Sequence, residues 1–246
     1  MWTRAELKSK AKNVLRKHYL HAFIVSLILV FVSGEVNNKG GLMDFKWETG
    51  SESFAMFAIL ASLIGFVLFV LFVLFNIFVG GPLEVGGRKY YIKATENDES
   101  DLSHVTSMFH SEYYGNVVIT MLYQKVIIFL WFLALIVPGI IKMYAYSMVP
   151  YILADNPEIS HKEALKLSDE MTYTHKLDMF VLDISFIGWY ILGGILFGIG
   201  QFLVNPYVDA TKAQLYRVLK REIIAENLAE ESDFRSKGMD DPALLK

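Results

Sequence analysis

The chain has 246 residues, of which 54% are hydrophobic and 20% are charged, and it contains no cysteine. Its mean hydropathy of +0.37 excludes an ordinary soluble domain and is typical of a membrane protein. The net charge of −3 comes without a separate basic patch, so no nucleic-acid partner is expected, and the missing cysteines exclude disulfides, thiolate metal sites and cysteine nucleophiles.

The first 18 residues predict a cytoplasmic amphipathic helix. They carry six basic residues, and their apolar residues fall near one face. An apolar stretch follows at 20–33, so this part of the chain could be taken for a signal peptide. Because no small-residue cleavage signal follows Gly34, we predict an uncleaved first membrane helix behind an interfacial helix.

The longest apolar stretch, 54–79, predicts a membrane-spanning helix. Its only polar interruptions are Ser62 and Asn76, and a helix of this length rises about 39 Å, more than the roughly 30 Å of the hydrocarbon core. A helix buried in a soluble core would need protein on every side, and a chain this short cannot supply it. Further apolar stretches lie at 126–141 and 179–204.

The distribution of basic residues favours six membrane segments over four. The six-segment topology turns at Pro138-Gly139 and again at 193–198. It places 20 of the 23 Lys and Arg residues in the cytoplasm, against 17 for its rival. Both termini are then cytoplasmic.

Three lysines, Lys39, Lys46 and Lys142, face outward in this topology. We predict that Lys142 is an anchor near the outer turn, where its ammonium group reaches water. The arms of this first hairpin, 126–137 and 140–154, measure about 18 and 22 Å as helices. They are short enough to reach only part-way across the membrane.

The predicted fold class is all-α: a polytopic helical membrane protein with about six membrane segments, including two short hairpins, plus interfacial amphipathic helices. Residues 1–225 form a single membrane domain. It includes a second cytoplasmic amphipathic helix within 155–177, which begins at the capping box of Ser160 and Glu163. This helix lies either on the inner membrane surface or on the protein's own cytoplasmic loops. Residues 226–246 predict a charged cytoplasmic tail.

The chain contains no recognisable catalytic motif, and its scattered histidines predict no metal site; no cofactor is expected. Ionisable residues at membrane depth are the better candidates, because they are costly there. We predict a buried ion network in the cytoplasmic half, in which Asp183 contacts Arg88 or Lys125. Its candidate members are Glu84, Arg88, Lys125, Asp183, Asp209 and Lys212. These residues either line a proton or solute path or lock short helices together, and we favour the second interpretation.

Several motifs carry a resemblance to a known family. They are GPLEVGGRKYY, LIVPGIIKMYAYSMVPYILADNP, SHKEALKLSDEM, HKLDMFVLDISFIGWYILG and GIGQFLVNPYVDAT, in this order. The chain resembles a family of bacterial integral-membrane proteins that is catalogued only as a domain of unknown function. The resemblance implies an all-helical, multi-spanning protein of the plasma membrane, and it supplies no catalytic or cofactor-binding residues.

The sequence therefore predicts a non-enzymatic accessory or scaffold protein at the cytoplasmic membrane face. Its expected partners are the lipid bilayer, anionic lipid headgroups or another membrane protein. The alternative is a small-solute or proton-coupled transporter that uses Glu84, Asp183 and Asp209. An intramembrane lipid-modifying enzyme has only the paired carboxylates in its favour.

Overall fold

The computed structural model describes part of the N-terminal segment (residues 3, 4, 6–12, 15, 19, 21, 22 and 26) and then residues 52–96, 101–195 and 200–236. Within these residues the regular structure is helical and no strand occurs, which confirms the predicted all-α class. The predicted first membrane helix at 20–33 and the turn at 193–198 lie largely outside the described residues.

Nine α-helices follow one another in the continuous ranges. A π-helix at Asn76–Gly80 joins the first two, and short 3-10 helices occupy Ser107–His110 and Glu231–Phe234. The α-helices are α1 (Glu52–Phe75), α2 (Gly81–Glu96), α3 (Ser103–Thr106), α4 (Tyr114–Ala134), α5 (Ile136–Ala145), α6 (Val149–Asp155), α7 (His161–Thr172), α8 (Lys176–Ile195) and α9 (Gly200–Ala225).

Within the described ranges, three helical stretches are long and apolar enough to cross a membrane. They are Ile59–Glu96, Tyr114–Ala134 and Ile136–Asp155. The chain is therefore consistent with a multi-spanning membrane protein, while the predicted number of about six segments is not confirmed.

Helix α1 is apolar on all sides. Every side chain from residue 59 to residue 75 is exposed. Contact of such an apolar surface with water is unfavourable, so we expect lipid to cover it. Its two polar interruptions are satisfied within the helix: Ser62 donates to the carbonyl of Ile59 at 2.8 Å, and Asn76 donates to that of Phe72 at 3.0 Å. Neither residue therefore needs a polar neighbour in the membrane.

The core of the described part is built from α2, α6 and α9. All six residues from 149 to 154 are buried, and Pro150 begins α6 without cost because it lies in the first turn. Helix α2 makes a close approach to α3 at Gly86, where a Cβ atom would lie 2.0 Å from the carbonyl oxygen of Val105. Only glycine fits this contact.

Helices α4 and α5 form a hairpin that turns at the single extended residue Leu135 (φ −160°, ψ 141°). The turn lies three residues before the predicted position at Pro138-Gly139. Pro138 falls in the first turn of α5, where its missing N–H group costs no hydrogen bond. Gly139 instead permits close packing, because a Cβ atom there would lie 2.6 Å from the ring of Phe132.

Helices α8 and α9 are antiparallel neighbours. The ring of Phe186 packs edge-on against Tyr207 at 5.5 Å, and the hydroxyl of Tyr190 donates to Asn205 at 3.1 Å. These pairs fix the register of a second hairpin.

Helix α7 starts at the predicted cap, since Ser160 accepts a hydrogen bond from the backbone N–H of Glu163 at 3.3 Å. Its apolar face is buried against the protein: Ala164, Leu165, Leu167, Ser168, Met171 and Thr172 are all inaccessible. This face of α7 packs on the protein's own helices, and not on its cytoplasmic loops as one of the two predicted placements had it.

The described part of the predicted tail, 226–236, folds back onto the helical body. Phe234 is only 3% exposed, and Asn156 donates to the carbonyl of Asp233 at 2.9 Å. These residues belong to the folded domain, and 237–246 lie outside the described part.

Candidate functional site

A part-buried ion pair links α2 to α9. Glu84 and Arg88 lie one turn apart on α2, so both face the same way. Arg88 Nη1 lies 2.6 Å from Asp209 Oδ1, and these two side chains are only 17% and 13% exposed. Arg88 also lies 3.9 Å from Glu84 Oε1 and 5.3 Å from the ring centroid of Tyr151 on α6. The guanidinium group thus joins three helices.

The second carboxylate oxygen of Asp209 is also engaged. Ser26 Oγ donates to Asp209 Oδ2 at 2.7 Å and is hydrogen-bonded to the hydroxyl of Tyr91. Tyr91 donates in turn to the carbonyl of Ala22 at 2.7 Å. This chain of hydrogen bonds ties the N-terminal segment to the part-buried ion pair.

Lys125 reaches the edge of the same cluster. Its ammonium nitrogen lies 3.9 Å from Glu84 Oε2, and its side chain is 46% exposed against 17% for that of Glu84. The structure therefore brings four of the six predicted residues together: Glu84, Arg88, Lys125 and Asp209.

The other two predicted residues form a separate pair. Lys212 Nζ lies 3.2 Å from Asp183 Oδ1, and the hydroxyl of Tyr144 donates to Asp183 Oδ2 at 3.1 Å. The expected contact of Asp183 with Arg88 or Lys125 is not made, because the register of α8 against α9 places Asp183 opposite Lys212. The single network predicted from the sequence is thus two clusters.

A third cluster, centred on Asp169 of α7, was not anticipated from the sequence. Asp169 accepts hydrogen bonds from Lys142 at 2.8 Å and from Lys176 at 2.7 Å. Burial acts to raise the pKa of the Asp169 carboxyl, but the hydrogen bonds and charges of the two lysines outweigh it and hold that pKa below its usual value. The cluster ties α5, α7 and α8 together.

This cluster corrects the prediction for Lys142. The residue was expected to anchor the outer turn, whereas it pairs with the helix that was predicted to be cytoplasmic. The expectation assumed that the chain between Lys142 and Asp155 crosses the membrane and so separates Lys142 from α7, whereas the two are in direct contact.

Asp155 makes a fourth set of contacts, which no local sequence pattern predicted. Lys220 Nζ lies 2.6 Å from Asp155 Oδ2, and the hydroxyl of Tyr216 donates to the same oxygen at 2.8 Å. The partners lie 61 and 65 residues away along the chain, which is why the sequence showed Asp155 only as the end of a helix.

The six predicted residues lie away from the main cavity, whereas Asp169 of the third cluster is part of its wall. A cavity of about 590 Å³ lies between α4, α7 and the turn after α9, and none of the six predicted residues lines it. Its walls include Tyr123, Lys162, Asp169 and Glu226. Across the described part of the chain, no group of three His, Asp or Glu side chains is placed to hold a metal ion.

Comparison with known proteins gives one family match and no activity. No curated protein and no solved structure matches the chain. Residues 132–222, which run from the end of α4 into α9, match the model of the family described as "Protein of unknown function (DUF975)". The match agrees with the predicted resemblance to a domain of unknown function over these residues only, and the motif GPLEVGGRKYY lies outside them.

Proposed function

We propose that this chain is an integral protein of the bacterial plasma membrane that acts as a non-enzymatic accessory or scaffold at the cytoplasmic face. The observation that carries the proposal is the pairing of the candidate residues. Each of the six has an ionic partner within the set, through the contacts Glu84–Arg88, Glu84–Lys125, Arg88–Asp209 and Asp183–Lys212.

This pairing supports a structural role over transport. A carboxylate on a proton or solute path must exchange its partner or its proton during each cycle. Asp209 has one oxygen bound by Arg88 and the other by Ser26. Releasing it would break a contact between α2 and α9 in the core, so we assign these charges to helix association.

The orientation rests on the positive-inside rule, and the position of Lys142 strengthens it. Because Lys142 pairs with α7 through Asp169, it belongs with α7 on the cytoplasmic side. Only Lys39 and Lys46 then remain for the outer side. Both termini are cytoplasmic in this orientation.

We further propose that the α4–α5 hairpin enters the membrane without crossing it. Lys125 and Lys142 mark the two ends of its exposed apolar part. From Leu135, Lys125 is ten residues away and Lys142 seven, or about 15 and 10 Å along the helices. The apex would then lie near the middle of a core that is roughly 30 Å thick.

Site-specific photo-crosslinking in native membranes tests the proposed function. A photoreactive residue at Tyr173, which is 75% exposed beside α7, should yield a recurrent protein adduct that is identified by mass spectrometry. The same residue at Leu68 on α1, which we expect to face lipid, is the matched control and should yield none.

Transport is the competing outcome. If proteoliposomes with the purified chain show a flux that Asp183→Asn or Glu84→Gln abolishes, while Tyr173 gives no protein adduct, the scaffold proposal is wrong. Resistance to extraction by alkaline carbonate separately tests whether the chain is integral to the membrane.

A further inference from the structure

The cavity between α4, α7 and the turn after α9 has the size of a small-molecule site. Its volume is about 590 Å³, within the range of about 300 to 1,000 Å³ that is common for ligand pockets. Part of its wall is apolar, formed by Ile127, Leu165 and Leu228. Polar and aromatic side chains form the remainder.

Among the residues that the structure describes, one cation and one anion of the cavity have no ionic partner. Within the described part of the chain, neither Lys162 nor Glu226 makes an ion pair, although both line the cavity. The other charges there are engaged: Lys166 lies 3.6 Å from Glu170, and Asp169 is held by two lysines.

Three tyrosine rings, those of Tyr123, Tyr146 and Tyr173, also line the cavity. Two of them already lie near ammonium groups of the protein, with Lys142 at 5.1 Å from the ring centroid of Tyr146 and Lys176 at 5.3 Å from that of Tyr173. Aromatic faces attract ammonium ions, and tyrosine is enriched where membrane meets water.

The cavity adjoins the surface that we expect lipid to cover. Ile127 contributes to its wall, and on the same helix Val126, Phe129, Leu130 and Leu133 are exposed. These four apolar side chains lead from the cavity toward the apex of the hairpin. A ligand with a polar head in the cavity could therefore lay a hydrocarbon chain along α4.

From these features we infer that the cavity binds a phospholipid whose headgroup carries both a phosphate and an ammonium group, as in phosphatidylethanolamine. Lys162 binds the phosphate, Glu226 binds the ammonium group, and an acyl chain follows α4. The inference rests on the membrane placement in the proposed function, and it names a lipid among the partners at the cytoplasmic face.

The charge balance favours this lipid over an anionic one. An anionic headgroup would satisfy Lys162 and leave Glu226 facing a negative ligand in the same cavity. A headgroup with both charges satisfies both residues, and charge-assisted hydrogen bonds are the stronger class.

Native mass spectrometry of the delipidated full chain in mild detergent tests the inference. Dioleoyl phosphatidylethanolamine and dioleoyl phosphatidylglycerol are titrated separately. We expect Glu226→Gln to weaken ethanolamine-lipid binding about tenfold, the value of one charge-assisted hydrogen bond. Glycerol-lipid binding should not weaken, because the change removes a negative charge that faces this anionic headgroup. Lys162→Gln should weaken both lipids. Both residues are exposed, so neither change threatens the fold.

Two exposed residues outside the cavity supply matched controls. Lys10→Gln and Glu231→Gln remove the same kinds of charge from pairs on the surface, and they should alter neither affinity. The inference is overturned if Glu226→Gln leaves the ethanolamine lipid unchanged or weakens both lipids alike. If that happens while the chain resists carbonate extraction and keeps its crosslinked partner, the proposed function stands and the lipid assignment alone fails.

Discussion

The guanidinium group of Arg88 lies between a carboxylate and an aromatic ring in the interior of the described fold. Removing one member of such a pair leaves the other buried without compensation. Replacing one partner should therefore lower the free energy of unfolding more than replacing both partners does.

We expect Arg88→Gln and Asp209→Asn each to lower the free energy of unfolding by about 3 kcal/mol. The double variant should lose clearly less than the sum, because the two residues share one contact. The loss of stability of all three variants is measured by thermal unfolding in detergent. Lys10→Gln, which breaks an ion pair whose side chains are about half exposed, is the control and should have little effect. Strict additivity of the two single losses would contradict the assignment.

Asp169 gives a prediction for the dependence on pH. Its pKa is lowered in the folded protein, so it stabilises the fold above the unfolded value of about 3.9. This stabilisation is lost as the pH falls through the lower, folded pKa. Asp169→Asn should cost about 1 kcal/mol at neutral pH, because the site is partly exposed.

The difference in unfolding temperature between wild type and Asp169→Asn should be constant above about pH 5 and shrink below about pH 4. Unfolding curves over a pH series measure it. Glu231→Gln removes an exposed carboxylate and serves as the control. If the difference does not change with pH, the charge of Asp169 is not the cause of its stabilising effect.

The candidate residues were predictable to different degrees. Glu84 and Arg88 are four apart at the end of an apolar stretch, so their position and common face follow from the sequence. Their partner Asp209 is 121 residues from Arg88, and only the packing of α2 on α9 brings the two together. Asp183 was placed with the wrong partners because the register of two antiparallel helices is set by packing along their whole length.

Between helices, the closest contact that depends on glycine is at Gly86. A methyl group there would meet the backbone carbonyl of Val105, which cannot rotate away as a side chain could. Gly65 on α1 is the opposite case, since a methyl group there meets nothing within 4 Å.

Gly86→Ala should therefore destabilise the protein by about 3 kcal/mol, because α2 and α3 must separate. Gly65→Ala should cause no loss, because alanine favours a helix over glycine and the space is open. The unfolding temperatures of the two variants in the same detergent make the comparison. Equal changes in unfolding temperature for the two variants would contradict the close approach of α2 to α3 at Gly86.

Helix positions were easier to predict than helix ends. Continuous apolar residues predicted the helix of α1, and the capping box predicted the start of α7. The α4–α5 turn was misplaced because proline was taken as the breaking point, although a proline in the first turn of a helix is well tolerated. Leu135 has no local feature that favours a turn. Its conformation follows from packing Gly139 on Phe132.

The whole molecule has a helical body and apolar helices that leave it. The distribution of charge in the sequence raises the question whether these helices cross the membrane or return, and the contact of Lys142 with Asp169 of α7 supports the proposed return of the α4–α5 hairpin. The chain lacks cysteine, so single cysteines can report on each position without background.

We expect cysteines at Glu170 and Asp178 to resist an impermeant thiol reagent in intact cells and to react in inverted vesicles. Lys39→Cys, in the loop predicted to face outward, should show the reverse and is the control. Leu135→Cys should resist the reagent from both sides and react only after the membrane is dissolved. Labelling of Leu135→Cys from outside would mean that the α4–α5 hairpin crosses.

The one-residue turn at Leu135 also bears on the shape of the surrounding bilayer. In the placement proposed above, the two helices of this hairpin, each about 10 Å across, would take up area in the cytoplasmic leaflet only, whereas α1 would take up equal area in both. The inserted wedge expands one leaflet relative to the other, so the surrounding membrane is expected to bend toward the cytoplasm. A short loop between two helices would thereby make the protein prefer curved regions of membrane.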